Sequence, residues 1–157
     1  LAALALVIAV VSGQALLVTN GYLSRIVRNG APGSWTDGIY ALSEYFRKDT
    51  PGSVVVLDWG ILESLLTLHR GRLPLIWAAD QLATTPPSAD NVRVFSGLVD
   101  EPDHVFVSYT GTHEQFAGIN GRLGEMLARI GARREIVAVI HDSNGRPVYE
   151  IAKIRRP

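Results

Sequence analysis

Apolar and polar positions along this chain fall into blocks of different period. Leu1 to Val11 is apolar without a break, Ser12-Gly13-Gln14 interrupts it, and Ala15-Leu16-Leu17-Val18 resumes it; no charge appears before Arg25. Such a run matches the roughly 18–20 residues that cross a bilayer core. It has no polar face, so it does not read as the amphipathic helix of a soluble core. A missing basic n-region and the length of the run argue against a signal peptide. The expectation over 1–29 is a membrane helix or its C-terminal end. Tyr22 suits a headgroup boundary, and Arg25 and Arg28 suit lipid phosphates. Gly30-Ala31-Pro32-Gly33 breaks the pattern and divides this anchor from a soluble domain over 30–157.

Within that domain the period changes repeatedly. Ser34-Trp35-Thr36-Asp37 opens a helix whose face is Ile39, Tyr40, Leu42, Tyr45 and Phe46. Asp49-Thr50-Pro51-Gly52 is a turn. Val54-Val55-Val56-Leu57 reads as a strand buried on both faces. Ile61 to Leu68 is helical, and Gly71 stops it. Leu73 to Trp77, interrupted by Pro74, reads as an edge or bent strand. Ala83 to Asn91 reads as a long loop, with a short helix around Val92 to Leu98. His104 to Tyr109 is a second buried strand. Thr112 and Gln115 have capping-box spacing before a helix from His113 to Ile130, which Gly131 ends. Two alternating runs, Arg133 to Val139 and Val148 to Ile154, flank Asp142-Ser143-Asn144-Gly145, a strong hairpin signal. The fold class that follows is α/β: three layers, a mixed and mostly parallel sheet, and a C-terminal antiparallel hairpin. Right-handed crossovers put the Val54 and Val105 strands near its middle.

Composition changes this picture little. The 157 residues carry 15 basic and 15 acidic side chains, so nothing points to nucleic acid. With no cysteine, disulfides and thiolate metal sites are excluded, while the compartment stays open. The chain starts at Leu1, and it reads as a fragment or a processed product.

Candidate chemistry gathers where strands give way to helices, the edge that usually holds ligands in open α/β sheets. Asp58 follows the Val54 strand and suits the N-cap of the next helix. Ser108 or Thr110 as nucleophile, His113 as base and Asp58 as orienter supply the residue types of a hydrolase triad, although Gly-x-Ser-x-Gly is absent. Gly111, Thr112 and His113 precede the presumed helix start, where free amides attract anions. Asp100 to His104 offers oxygen and nitrogen donors but reads as a solvated loop, and His69 and His141 lack metal-ligand spacing. No metal site and no cofactor is expected.

Trp35-Thr36-Asp37-Gly38-Ile39-Tyr40-Ala41-Leu42 and Val54 to Gly60, ending in Asp58-Trp59-Gly60, follow an apolar helix and a Gly/Pro break. This arrangement resembles the C-terminal part of bacterial multi-spanning membrane glycosyltransferases of the protein mannosyltransferase and aminoarabinose transferase type. The resemblance covers nearly the whole chain. It implies an extracytoplasmic, periplasmic domain of an enzyme that takes sugar from a polyprenyl-phosphate donor. The family's catalytic carboxylate lies in an early loop that no residue here matches, so the implied role is non-catalytic. Asp58, Trp59 and Trp35 become candidates for a sugar- or acceptor-facing surface, since indole faces stack on sugar rings and a carboxylate binds paired hydroxyls. The implied partners are membrane lipid and the rest of a parent membrane protein. Arg25 and Arg28 cut against an extracytoplasmic side, although large domains translocate regardless of nearby charge. The rival reading is a membrane-anchored interaction module.

Overall fold

The computed structural model describes residues 2–29, 36–49 and 51–157. Helix α1, Ala2–Asn29, comes first. The α/β body then runs α2 (Gly38–Lys48), β1 (Ser53–Val56), α3 (Ile61–Leu68), β2 (Leu75–Trp77), a 3-10 turn (Ala79–Leu82) and α4 (Ala89–Asp100). It ends with β3 (His104–Tyr109), α5 (Ile119–Ile130), β4 (Arg133–His141) and β5 (Pro147–Arg155).

The four-residue β1 sets the core because its side chains alternate between two apolar clusters. Val54 and Val56 pack with Leu42 and Phe46 of α2 and with Ile61 and Leu65 of α3. Val55 and Leu57 pack with Phe95 and Val99 of α4 and with Leu123, Met126 and Leu127 of α5. All three valines are fully buried. Burying each such side chain contributes about 1.5–3 kcal/mol, which is why no polar residue interrupts the run.

The sheet order is β2-β1-β3-β5-β4. β1 pairs in parallel with β2 and with β3, while β5 pairs antiparallel with β3 and with β4. The sheet is therefore mixed in equal parts among these pairings, a more even division than the expected majority of parallel strands. The difference comes from β5: the hairpin folds its second strand inward against β3 and leaves β4 at the edge. From β1 the chain goes through α3 to β2 on one side, then through α4 to β3 on the other. The crevice at the carboxyl ends of β1 and β3 is thus a topological switch point.

Several expected boundaries move. α4 spans twelve residues, three turns, because the Ser88 side chain accepts from the Asn91 amide and starts the helix early. β2 begins only after Pro74, at the sheet's edge. At the hairpin tip the Asp142 carboxylate accepts from the amides of Asn144 and Arg146 and from the Arg146 side chain. The opening of the α2 segment from Ser34 lies outside the described residues. Among the described residues α2 starts at Gly38, whose amide donates to the Thr36 hydroxyl at 3.2 Å.

Helix α1 is exposed along its length, and its most apolar window has mean hydropathy 2.2 with none of it buried. At about 1.5 Å per residue its 28 residues extend about 42 Å, more than a bilayer core of about 30 Å.

Two glycines test the packing. A Cβ on Gly52 would lie 2.6 Å from the Asp103 Cβ, whereas one on Gly124 meets nothing within 4 Å. Gly52→Ala should cost about 1–3 kcal/mol through overpacking. Gly124→Ala, in the interior of α5, should gain up to about 1 kcal/mol. Thermal melts of the full chain in mild detergent should move in opposite directions for the two.

Candidate functional site

Asp58 sits just beyond β1 with no exposed surface. Its Oδ1 accepts from the amides of Trp59 at 2.7 Å and Phe116 at 3.1 Å, and its Oδ2 accepts from the Gln115 amide at 3.0 Å. It is not the cap of α3. Gly60 holds that position in a left-handed conformation, φ 81°, with no side-chain cap bond. A residue with φ above zero turns the chain sharply, which suits glycine. The turn separates Asp58 from the helix, so its carboxylate reaches across to the loop between β3 and α5. Burial pushes the Asp58 carboxyl above its usual value and the neighbouring Glu114 charge adds to that, while the three amides pull the other way.

That loop runs further than its sequence suggests. α5 begins at Ile119, with Gly118 left-handed before it, and not at His113. The Thr112–Gln115 capping pair does not form; Gln115 Nε2 donates to the His113 carbonyl at 2.7 Å. Glu114 caps α5 instead, accepting from the amides of Gly118 at 2.8 Å and Asn120 at 3.0 Å. Burial raises the Glu114 carboxyl, but bonds from Asn120 and Gly118 and the Arg122 charge outweigh it and leave it below its usual value. Gly111, Thr112 and His113 therefore stand well before the helix start that the anion reading relied on. The amides at that start are engaged by a carboxylate.

The triad residues lie at this edge without forming a relay. The Thr110 hydroxyl is 3.1 Å from His113 Nδ1 and donates its one proton to the Pro147 carbonyl at 3.0 Å. His113 Nδ1 is as close to the Thr112 hydroxyl, at 3.0 Å, and none of the bonds made by Asp58 reaches the ring, so the Thr110–His113 contact has no Asp58 carboxylate behind it. Ser108 is buried, and its hydroxyl accepts from Arg134 Nη2 at 2.9 Å. Arg134 also pairs with Glu150 and reaches Asn120 Oδ1 at 3.3 Å, an ion-pair cluster beside the sheet. The hydrogen bonds of Asp58 go to backbone amides.

What this edge does present is aromatic. Trp59 is 51% exposed, Tyr40 65% and Phe116 41%. Phe116 meets the half-buried Trp77 edge-on, with centroids 6.4 Å apart. Trp35 lies outside the described residues. Beneath the rim Tyr109 and Tyr149, register partners on β3 and β5, stack at 4.8 Å. Burial raises both hydroxyls above their ordinary values, and the two hydrogen-bond each other. Together with Thr36, Asp37, Tyr40, Gly60 and Ser64 they line a cleft of about 360 Å³. Sequence reasoning missed this tyrosine pair, because it forms across the β3–β5 pairing, while the hairpin register sets Tyr149 opposite Ile140. Nothing in the sequence marked the Gln115 and Phe116 amides as the partners of Asp58.

Comparison of the chain with family models, with curated proteins and with solved structures gives no match.

Asp58→Asn places an amide donor among three N–H groups and should cost about 1–3 kcal/mol for each group left unpaired. The sign of its pH dependence follows from the raised carboxyl. The folded state holds the Asp58 proton more tightly, so this group's stabilisation is complete below the unfolded value, about 3.9, and is lost as pH rises through the folded value. Asp142 is the opposite case. Burial raises its carboxyl, but the Arg146 amide and guanidinium and the Asn144 amide bring it below the usual value. Its contribution is present above the unfolded value and is lost as pH falls through the folded one. Denaturant titrations between acid and neutral pH should show the wild-type advantage over Asp58→Asn shrinking with rising pH, and that over Asp142→Asn shrinking with falling pH.

Proposed function

We propose that this chain is the extracytoplasmic, non-catalytic domain of a membrane glycosyltransferase that takes sugar from a polyprenyl-phosphate donor. The observation that carries the reading is α1, whose most hydrophobic window has mean hydropathy 2.2 with none of it buried. A core helix of that composition would be covered by the body. Exposing it to water is costly in proportion to its apolar area, and a bilayer removes that cost. The class of enzyme rests on the resemblance of the Trp35 to Leu42 and Val54 to Gly60 segments. A non-catalytic role is supported by Asp58, whose three bonds go to backbone amides and none to His113, so that the Thr110–His113 contact lacks its orienting carboxylate, and by Ser108, which is bonded to Arg134. Trp59, half out in solvent, supports a surface for a sugar or an acceptor; Asp58 serves it from beneath by fixing the adjoining loop. The placing of α2 and α3 on one apolar cluster and α4 and α5 on the other supports a three-layer body.

The second reading, a membrane-anchored interaction module, is favoured by β4. This edge strand exposes Ile136, Val137 and Val139, side chains that suit contact with another protein.

Reconstituted alone with a polyprenyl-phosphate sugar and an acceptor peptide, the chain should release no polyprenyl phosphate; measurable transfer would overturn the non-catalytic assignment. In the intact parent, Trp59→Ala should lower transfer roughly tenfold, about 1.4 kcal/mol, with an unchanged melting temperature. Full activity of that variant would favour the interaction module.

A further inference from the structure

We infer that the carboxyl edge of the sheet lies against the membrane surface, with Tyr40, Trp59 and Phe116 as its interfacial contacts. The inference rests on the reading of α1 as a membrane anchor and adds to it the face that the soluble body turns toward lipid.

The first support is covalent. Thr36 is seven residues on from Asn29, the end of α1, and an extended chain advances at most about 3.6 Å per residue. Whatever path the chain takes, Thr36 stays within about 25 Å of the helix end. Thr36 also fixes which edge is held there. Its hydroxyl binds the Gly38 amide, and it shares a cleft with Tyr40, Gly60 and Tyr109, at the carboxyl ends of β1 and β3. The opposite edge, with Arg70 and Arg72 leading into β2 and Arg155 closing β5, is further from the tether by the length of a strand. For the six residues of β3 that is about 20 Å.

The second support is chemical. Tyrosine and tryptophan are the side chains enriched where bilayer meets water, because each joins an apolar ring to one polar atom. Trp59 follows β1 directly, Tyr40 is in the first turn of α2, and Phe116 crowns the loop after β3. Other exposed apolar side chains among the described residues of the body are aliphatic: Ile136, Val137 and Val139 on the edge strand β4, Leu66 on α3 and Val94 on α4. The third support is the way the rim is built. One buried carboxylate binds the amides of both Trp59 and Phe116, so the two rings are carried by turns fixed to each other. A rigid aromatic rim loses little side-chain entropy on docking.

The test uses the full chain in phosphatidylcholine liposomes, one set with bromine just below the headgroup for the body's reporters and a second with bromine deep in the acyl chains for the α1 reporter. A variant with Trp35→Phe and Trp77→Phe leaves Trp59 as sole fluorophore. Its emission should fall by about half, and the loss should persist in 1 M salt, as expected for interfacial aromatic contact rather than charge attraction. Two reporters in a tryptophan-free background bracket it: Ile8→Trp within α1, and Arg72→Trp at the far edge. Quenching of Ile8→Trp and Trp59 but not of Arg72→Trp supports the inference. Quenching of Ile8→Trp alone overturns the docking and leaves the anchor standing; quenching of Arg72→Trp in place of Trp59 overturns it in favour of the arginine edge. An unquenched Ile8→Trp removes the anchor and this inference with it. Because the chain has no cysteine, Phe116→Cys carrying a polarity-sensitive dye gives a second readout with all three tryptophans intact. Its emission should shift to the blue on adding liposomes, and an unmoved spectrum counts against the docking.

Discussion

A carboxylate with no access to water holds this molecule's working edge together. Asp58 spends its oxygens on three backbone amides, two of them more than fifty residues away in sequence. Without it the amides of Gln115 and Phe116 would lose the partner they share, and an amide left unpaired away from water costs as much as a lost hydrogen bond. With it, the turn after β1 and the loop after β3 become one unit. The exposed Trp59 and Phe116 inherit their positions from that unit. Burial outweighs the three amide bonds and leaves the Asp58 carboxyl above its usual value.

A similar economy recurs at the other carboxylates of this edge. Glu114 answers the first free amides of α5, and Asp142 answers those of the hairpin tip. Acidic side chains that a reader of the sequence would take for binding groups are thus absorbed in closing loops. The rings of Tyr40, Trp59 and Phe116 are among what this end exposes, while Tyr109 and Tyr149 of the cleft are buried. A chain with equal numbers of acidic and basic residues can in this way present an edge whose chemistry its composition does not announce.

The body's fold was largely legible because its signals are local. Val54 to Leu57 has no polar interruption, the alternation on either side of Asn144-Gly145 admits one pairing, and both strands expected near the middle of the sheet are there. The start of α5 was not legible. Phe116 falls on the apolar period of the following helix, yet its amide belongs to Asp58, a tertiary contact that propensity cannot contain. The capping role assigned to Asp58 failed for the same reason: Gly60 took the turn, and a distant loop took the carboxylate. Trp59 could be placed at a strand end, but its exposure depended on which neighbours covered it.

The bond from the Ser143 amide to Asp37 Oδ1 joins the start of the body to the tip of the β4–β5 hairpin, 106 residues further on. A pull applied at Thr36 would load two paths, α2 through the chain itself and the tip of the β4–β5 hairpin through this 3.0 Å link. β5 runs inside the sheet, bonded to β4 from Pro147 to Arg155 and to β3 from Tyr149 to Ala152, so whatever the link carries is spread over a ladder of bonds instead of falling on α2 alone.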